Sequence, residues 1–300
     1  MRAWWIAGLL GICGMAGMLP VTAQDFDKVE IRTEKLADGV YMLAGRGGNI
    51  GLGIGEDAAF LIDDQYAPLT PKILAAIAAL TRQPVKFVLN THWHSDHVGG
   101  NENLGKAGSL IVAHDNVRRR MSSEQFIAAF KQKVDPSPKI SLPVVTFAES
   151  VSFHLNGDEI HGFHVASAHT DGDTIVVFRK ANVVHMGDVF FNGTYPFIDL
   201  SSGGSIDGTI AAVDRVLAMI DDRTKVIPGH GPLSDKAGLG AYRGMLAGIR
   251  DRVQAQARAG KSLQETVAAN PSAEFDQVWG KGFLKPAQFV ETVFQSLSGR

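Results

Sequence analysis

Val85-Lys86-Phe87-Val88-Leu89 runs directly into Asn90-Thr91-His92-Trp93-His94-Ser95-Asp96-His97-Val98-Gly99-Gly100. Four of the first five residues are apolar, two of them valine, which reads as a buried strand. The next eleven place His92, His94, Asp96 and His97 within six positions. In extended backbone, residues two apart face the same side, so His92, His94 and Asp96 are expected to project together, with Trp93 and Ser95 opposite. His97 follows directly, and Gly99-Gly100 permits a tight turn, so the cluster can serve two adjacent metals rather than crowd one. His-x-His-x-Asp-His arises by chance in fewer than about one in a thousand chains of this length, so ordinary core or surface histidines are a poor explanation of it.

Around this segment, strands and helices alternate. Val40 to Leu43, Asn49 to Ile54 and Ala58 to Ile62 read as short strands broken by glycine. Thr70-Pro71 starts a helix that Gln83-Pro84 stops. Further strands are expected at Leu110 to Ala113, Ser152 to Leu155, Glu159 to Val165, Thr174 to Phe178, Asn182 to Met186 and Lys225 to Ile227. The spacing of Ile206, Ile210, Val213, Leu217 and Ile220 predicts a helix. Glu124 to Lys133 also reads as helical, and with the proline-rich loop from Val134 to Pro143 it forms an insertion of the kind that often lines an active site. From Asp235 to the end the pattern is helical: Leu239, Tyr242, Leu246, Ile249 and Val253 share one face, Ser262-Leu263-Gln264-Glu265 is a capping box, and Phe289, Val290, Val293, Phe294 and Leu297 form a last apolar stripe. With no linker of separating length or composition, residues 24–300 read as a single α/β domain with a helical extension over 235–300.

Composition removes several function classes. The chain has 300 residues and is 45% hydrophobic, enough for a substantial core. Its 29 basic and 31 acidic groups give a formal charge of −2, so no net positive field exists for nucleic acid or an anionic bilayer. One cysteine against ten histidines excludes an intramolecular disulfide framework and any multi-thiolate metal site. That cysteine, Cys13, lies in a stretch that begins Met1-Arg2, is apolar from Ala3 to Leu19, breaks at Pro20 and ends Val21-Thr22-Ala23. This reads as a signal peptide, residues 1–23, with cleavage before Gln24 and a periodic pattern too short for a spanning helix. Lipidation at Cys13 fits poorly, because Ile12 stands where a small residue is expected. Loss of Arg2 from the 29 basic groups leaves 28 against 31 acidic ones, a charge of −3, on a thiol-free chain destined for the periplasm or the medium.

A catalytic metal takes about three protein ligands and keeps a position open, so further ligands must come from elsewhere. His169, Asp188 and His230 each sit just past an expected strand. With these residues in place the chain resembles the metallo-β-lactamase-fold hydrolases, from the glycine-rich stretch ending Leu61-Ile62-Asp63 through to about Pro232. The resemblance implies a four-layer αβ/βα sandwich with metals at one edge of the sheets. It implies His92, His94 and His169 as ligands of a first metal and Asp96, His97 and His230 as ligands of a second, bridged by Asp188. Two zinc ions suit imidazole and carboxylate donors, although spacing does not exclude iron or manganese. A water acidified between such ions is expected to attack a carbonyl carbon, with Asp96 orienting it and passing its proton to the leaving atom. Asp63 is an expected acceptor for a ligand histidine, or a turn cap.

The substrate is expected to be a small molecule, and the residues weigh its classes differently. Export favours a β-lactam, yet the familiar lactamases of the family carry a cysteine at the place of Asp188 and a carboxylate-binding lysine at the place of Phe191. An aspartate there resembles thioester and lactone hydrolases such as glyoxalase II. Iron-dependent persulfide dioxygenases share a similar histidine set, whereas flavodiiron reductases would need a glutamate at the place of His94; a tRNA-processing phosphodiesterase fits an exported acidic chain poorly. Metal sequestration without turnover is the non-enzymatic reading. Phe190, Phe191, Tyr195 and Phe197 either line an apolar substrate pocket or pack beneath the loop. Trp93 is expected in the core, and His114, His154, His161, His164 and His185 are expected to be structural.

Overall fold

The computed structural model describes residues 26–299. The expected signal peptide and Cys13 lie outside the described residues. The first sheet is built from β1 (Arg32–Ala37), β2 (Val40–Ala44), β3 (Ile50–Ile54), β4 (Ala59–Ile62), then α1 (Thr70–Ala78) as the crossover to β5 (Val85–Leu89). After β5 come the single turn α2 (Ser95–Val98), α3 (Asn101–Lys106), β6 (Leu110–His114) and α4 (Asp115–Met121). An inserted hairpin of β7 (Gln125–Ile127) and β8 (Gln132–Val134) precedes β9 (Val145–Phe147), which completes the sheet in the order β1-β2-β3-β4-β5-β6-β9. Pairing is antiparallel from β1 to β4 and parallel from β4 to β9. The second sheet follows as β10 (Ser150–Leu155), β11 (Asp158–His164), β12 (Thr174–Phe178) and β13 (Val183–His185); then α5 (Ile206–Met219) crosses over to β14 (Lys225–Ile227), and β15 (Ser234–Asp235) closes the edge. The chain ends in α6 (Lys236–Arg258), α7 (Leu263–Ala268), α8 (Asp276–Trp279) and α9 (Pro286–Ser298).

The period of two along the strands decides the layering. In β4, Phe60 and Ile62 meet Val176, Phe178 and Ile227 of the other sheet, while Ala59 and Leu61 turn outward onto Ile73 and Ile77 of α1. In β12, Val176 and Phe178 face the first sheet and Ile175 faces outward with α5, α6 and α9. Helices therefore cover both outer faces, and the order helix, sheet, sheet, helix is the expected sandwich. Phe60, Phe178 and Leu61 are fully buried, and each such side chain contributes about 1.5–3 kcal/mol. The C-terminal stripes join the same core: Leu239, Tyr242, Leu246, Ile249 and Val253 of α6 and Phe289, Val290 and Val293 of α9 are buried in one cluster with Ile175 and Val226. The capping box at Ser262 is formed, Ser262 Oγ accepting from Glu265 N and Glu265 Oε2 from Ser262 N.

One element departs from its expected form. Glu124 to Lys133 forms no α-helix; it is the β7–β8 hairpin, joined by a 3-10 turn at Ala128–Phe130 that ends on Lys131 in the left-handed region (φ 51°). Gln125-Phe126-Ile127 alternates in burial, with Phe126 exposed and Ile127 buried, so no helical stripe exists to hold a helix against the core.

Candidate metal centre

The ligand-type residues gather where β5, β11, β13 and β14 end. Asn90 and Asn101 pin the loop after β5 by exchanging side-chain hydrogen bonds of 3.1 and 2.9 Å. The chain bends over 91–93, and His94, itself extended (φ −67°, ψ 146°), stands at the N-cap of α2. Asp96 and His97 therefore lie on a helical turn, and the expectation that His92, His94 and Asp96 share one face of an extended chain is corrected. Helical curvature after His94 carries Asp96 away from His92 and His94 and towards His230. Two groups result: His92, His94, His169 and Asp188, all buried, and Asp96, His97 and His230, of which only His97 is buried; within each group the donor atoms lie within 4.8 Å of one another. Asp188 joins them, with Oδ1 3.0 Å from His97 Nε2 and Oδ2 3.3 Å from His230 Nε2, 3.7 Å from His169 Nε2 and 3.8 Å from His92 Nε2.

The hydrogen bonds behind the histidines fix which nitrogen faces inward. Asp63 accepts from Thr91 N (2.7 Å), Thr91 Oγ1 (2.7 Å) and His97 Nδ1 (2.8 Å). Because the Thr91 hydroxyl donates to Asp63, it must accept from His92 Nδ1 at 3.0 Å. His94 Nε2 donates to Asp199 Oδ2 at 3.1 Å, and His169 Nδ1 donates to the Phe197 carbonyl at 2.7 Å. Each neutral ring thus keeps a lone pair on its inner nitrogen. His94 Nδ1 and His169 Nε2 face each other at 2.9 Å, and His92 Nε2 is buried with no hydrogen-bond partner. Converging lone pairs with a buried carboxylate repel one another unless a cation sits among them, so the donor set fits a metal. Ionisation agrees. Burial would raise the Asp188 carboxyl, but His97, His230 and His92 hold it well below the usual range. Burial would lower His230, yet Asp188 and Asp96 lift it to about 9, a proton taking the place of a cation. Burial drives His169 down to about 4.

Glycine makes the close approaches possible. A Cβ at Gly229 would sit 2.1 Å from Asp188 Oδ1, and one at Gly48 would sit 2.0 Å from the His97 ring. Asp63 itself adopts a left-handed backbone (φ 63°), a conformation aspartate tolerates better than most residues.

A cavity of about 520 Å3 opens above Asp96, Asp188 and His230. Its walls come from the inserted hairpin (Ile127, Phe130, Val134), from Phe191 and Phe197, and from Phe283 of the C-terminal segment. Phe191 stacks on His230 with ring centroids 5.0 Å apart. The four aromatics after Asp188 divide: Phe191 and Phe197 face the cavity, whereas Phe190 packs on Tyr242 and Tyr195 stacks on Phe289. Trp93 is buried as expected, its Nε1 donating to Ser202 Oγ at 3.2 Å, although one edge also reaches the cavity. None of the other five histidines joins a cluster among the described residues. His185, for example, donates from Nε2 to the Asn49 carbonyl at 3.0 Å and ties β13 to the residue before β3. Asp199, Thr91, Gly48, Phe130 and Phe283 are the functional neighbours that motif reading missed. Asp199 has no spacing relation to any ligand, and only the fold brings it under His94.

The family model for the metallo-β-lactamase superfamily matches residues 44–231. The chain belongs to the metallo-β-lactamase superfamily, a family of metal-dependent hydrolases. Among curated proteins it is similar to a beta-lactamase-like protein 2 homolog of Caenorhabditis elegans, 28% identical over 223 residues, covering 68% of this chain and 65% of that one. It is also similar to a hydroxyacylglutathione hydrolase of Pelagibacter ubique, 27% identical over 150 residues, covering 49% of this chain and 52% of that one. The matched region thus spans less than two thirds of either relative. Among solved structures, a metallo-beta-lactamase from Pontibacter korlensis shares the fold with a TM-score of 0.60 at 20% identity, over 73% of this chain and 99% of that one.

Proposed function

We propose that this chain is an exported dinuclear zinc hydrolase that cleaves an ester-type carbonyl, a thioester or lactone included, with the cyclic amide of a β-lactam as the competing substrate. The observation that carries the reading is the set of inward lone pairs on His92, His94 and His169 facing the Asp188 carboxylate, with Asp96, His97 and His230 beside it. His92, His94 and His169 would hold one ion, Asp96, His97 and His230 the other, and Asp188 would touch both. Zinc in such a site supplies Lewis acidity to a carbonyl oxygen and lowers the pKa of water.

The chain's own residues do the rest. Asp96 stands at the cavity floor, its carboxyl held down to about 2 because the charges of His97 and His230 outweigh burial. As a carboxylate it orients water towards the carbonyl carbon, accepts the proton released on addition, and returns it to the leaving oxygen, sulfur or nitrogen. Phe191 and Phe197 exclude bulk water from the reacting atoms. The ester reading over the lactam rests on Asp188 and Phe191, which stand where the familiar lactamases resemble one another in having cysteine and lysine; similarity to a hydroxyacylglutathione hydrolase points the same way.

The test is to isolate the full chain after export, read its N-terminus and its metal content, and assay a thioester, an aryl lactone and a chromogenic cephalosporin with and without chelator. Two zinc ions, an N-terminus at Gln24 and chelator-sensitive turnover of the thioester or lactone are expected. Iron with no hydrolysis overturns the zinc-hydrolase reading, and cephalosporin turnover alone overturns the ester reading.

A further inference from the structure

Three aromatic side chains step outward from the metal centre. Phe197 lies 5.9 Å from the His94 ring, Phe130 lies 4.8 Å from Phe197, and Phe283 lies 5.5 Å from Phe130, all between ring centroids. Phe197 is buried, Phe130 is 36% exposed and Phe283 is 71% exposed, so the row runs from the ligand histidines to the surface. It is assembled from three separate parts of the chain: the loop after Asp188, the inserted hairpin and the segment before α9. Phe283 and Phe130 together extend the row as an exposed apolar strip beside the cavity, a surface that an apolar ligand can cover.

Away from the ligand residues, the cavity lining offers an anion no unpaired lysine or arginine among the described residues. Arg120 is the one lysine or arginine among its lining residues. Its Nε and Nη2 are bound to Asp171 at 2.7 and 2.8 Å, and its Nη1 to Gln125 at 2.9 Å, so its charge is already matched. Asp135 also lines the cavity, and its charge is met by Lys133, whose Nζ lies 3.4 Å from Asp135 Oδ1. Away from the metal-ligand residues, a substrate carboxylate entering this cavity finds no unpaired lysine or arginine and meets phenyl rings instead, an expensive exchange for its hydration.

Resting on the hydrolase reading above, we propose that the substrate is uncharged beyond its reacting carbonyl and carries an apolar acyl chain or aryl group that lies along Phe197, Phe130 and Phe283, with Phe130 and Phe283 setting chain-length specificity. The cavity volume, about 520 Å3, suits a small molecule of this kind.

The metal-loaded full chain is assayed on p-nitrophenyl esters from acetate to decanoate and on the matching ω-carboxylated esters; in parallel, binding of 2-alkanones of increasing length is read from tryptophan fluorescence, since Trp93 borders the cavity. The expected result is a kcat/KM that climbs about two- to fourfold per methylene until the row is covered, carried mainly in KM, and falls at least about tenfold on ω-carboxylation. Phe130→Ala and Phe283→Ala each lower the decanoate-to-acetate ratio about tenfold, while Phe126→Ala, on the same hairpin but outside the cavity, leaves that ratio as it is. Chelator-sensitive hydrolysis that is flat in chain length, or that favours the carboxylated esters, overturns this inference and leaves the hydrolase reading standing. Length-dependent alkanone binding with no chelator-sensitive hydrolysis of any ester does the reverse. Loss of both overturns both.

Discussion

The two halves of the centre are built from the same residue types and are held differently. His92, His94 and His169 are buried, and each ring's outer nitrogen has a hydrogen-bond partner, Thr91, Asp199 and the Phe197 carbonyl respectively. In the other half His97 is buried against Asp63, but the Asp96 side chain is 21% exposed and that of His230 29%, and both border the cavity. The enclosed half is organised before anything binds. The open half is where substrate, water and proton can enter, so rigidity and access are divided between two neighbouring groups rather than compromised within one.

Single substitutions test that contrast. The Asp188 carboxylate lies against both halves, so Asp188→Ala is expected to lower metal content and reduce turnover by more than about a thousandfold, because both proposed ions would depend on it. Elemental analysis with activity of the purified variant checks this, and full activity would mean that the halves act separately. Next in size, Gly229→Ala drives a methyl group to within 2.1 Å of Asp188 Oδ1 and is expected to weaken metal binding while the fold survives, as read by metal content alongside circular dichroism.

Asp199→Asn and Asp63→Asn separate the halves. Each removes a charged acceptor behind one ligand histidine and is expected to lower the affinity of its own half about 10- to 100-fold. Chelator competition resolving two equivalents should show the more tightly held ion released by Asp199→Asn and the more accessible ion by Asp63→Asn; equal weakening of both ions in both variants would erase the distinction drawn here.

The smallest effect lies outside the centre and shows what an ordinary buried histidine does. His114 caps α4, its Nδ1 accepting from Asn116 N, while Nε2 donates to the Ala148 carbonyl and the ring stacks on His164 at 3.8 Å. Burial, then the neighbouring His164, lowers its pKa below 6.5. The unfolded chain then binds the proton more readily, so this stability is fully present above pH 6.5 and is lost as pH falls below it. His114→Asn keeps a capping oxygen without the titration, and its Tm relative to the parent chain should improve by about 1 °C between pH 7.5 and 5.5. A constant difference across that range would assign no role to His114 ionisation.

Much of the architecture was legible because burial imposes a period. Ala59-Phe60-Leu61-Ile62 and Thr174 to Phe178 are apolar on both faces because each strand lies between another sheet and a helical layer. The stripe along α6 was equally clear, since one face of a long helix must be apolar to pack. The inserted hairpin was misread because a short segment with one buried residue carries too little pattern to tell period two from period 3.6.

The local sequence by itself determined which donors exist: His92, His94, Asp96 and His97 crowd one loop, and no side-chain packing could have created that density. The chain after β5 could not announce its own curvature, however, so the division of Asp96 from His92 and His94 came from the turn of α2. Asp199 beneath His94, Gly229 against Asp188, and Phe130 beside Phe283 are separated by tens to hundreds of residues, and no motif relates them. Ligand identity is a property of side chains and is written in order along the chain; ligand tautomer, access and the shape of the cavity depend on what the sandwich brings up behind and above them.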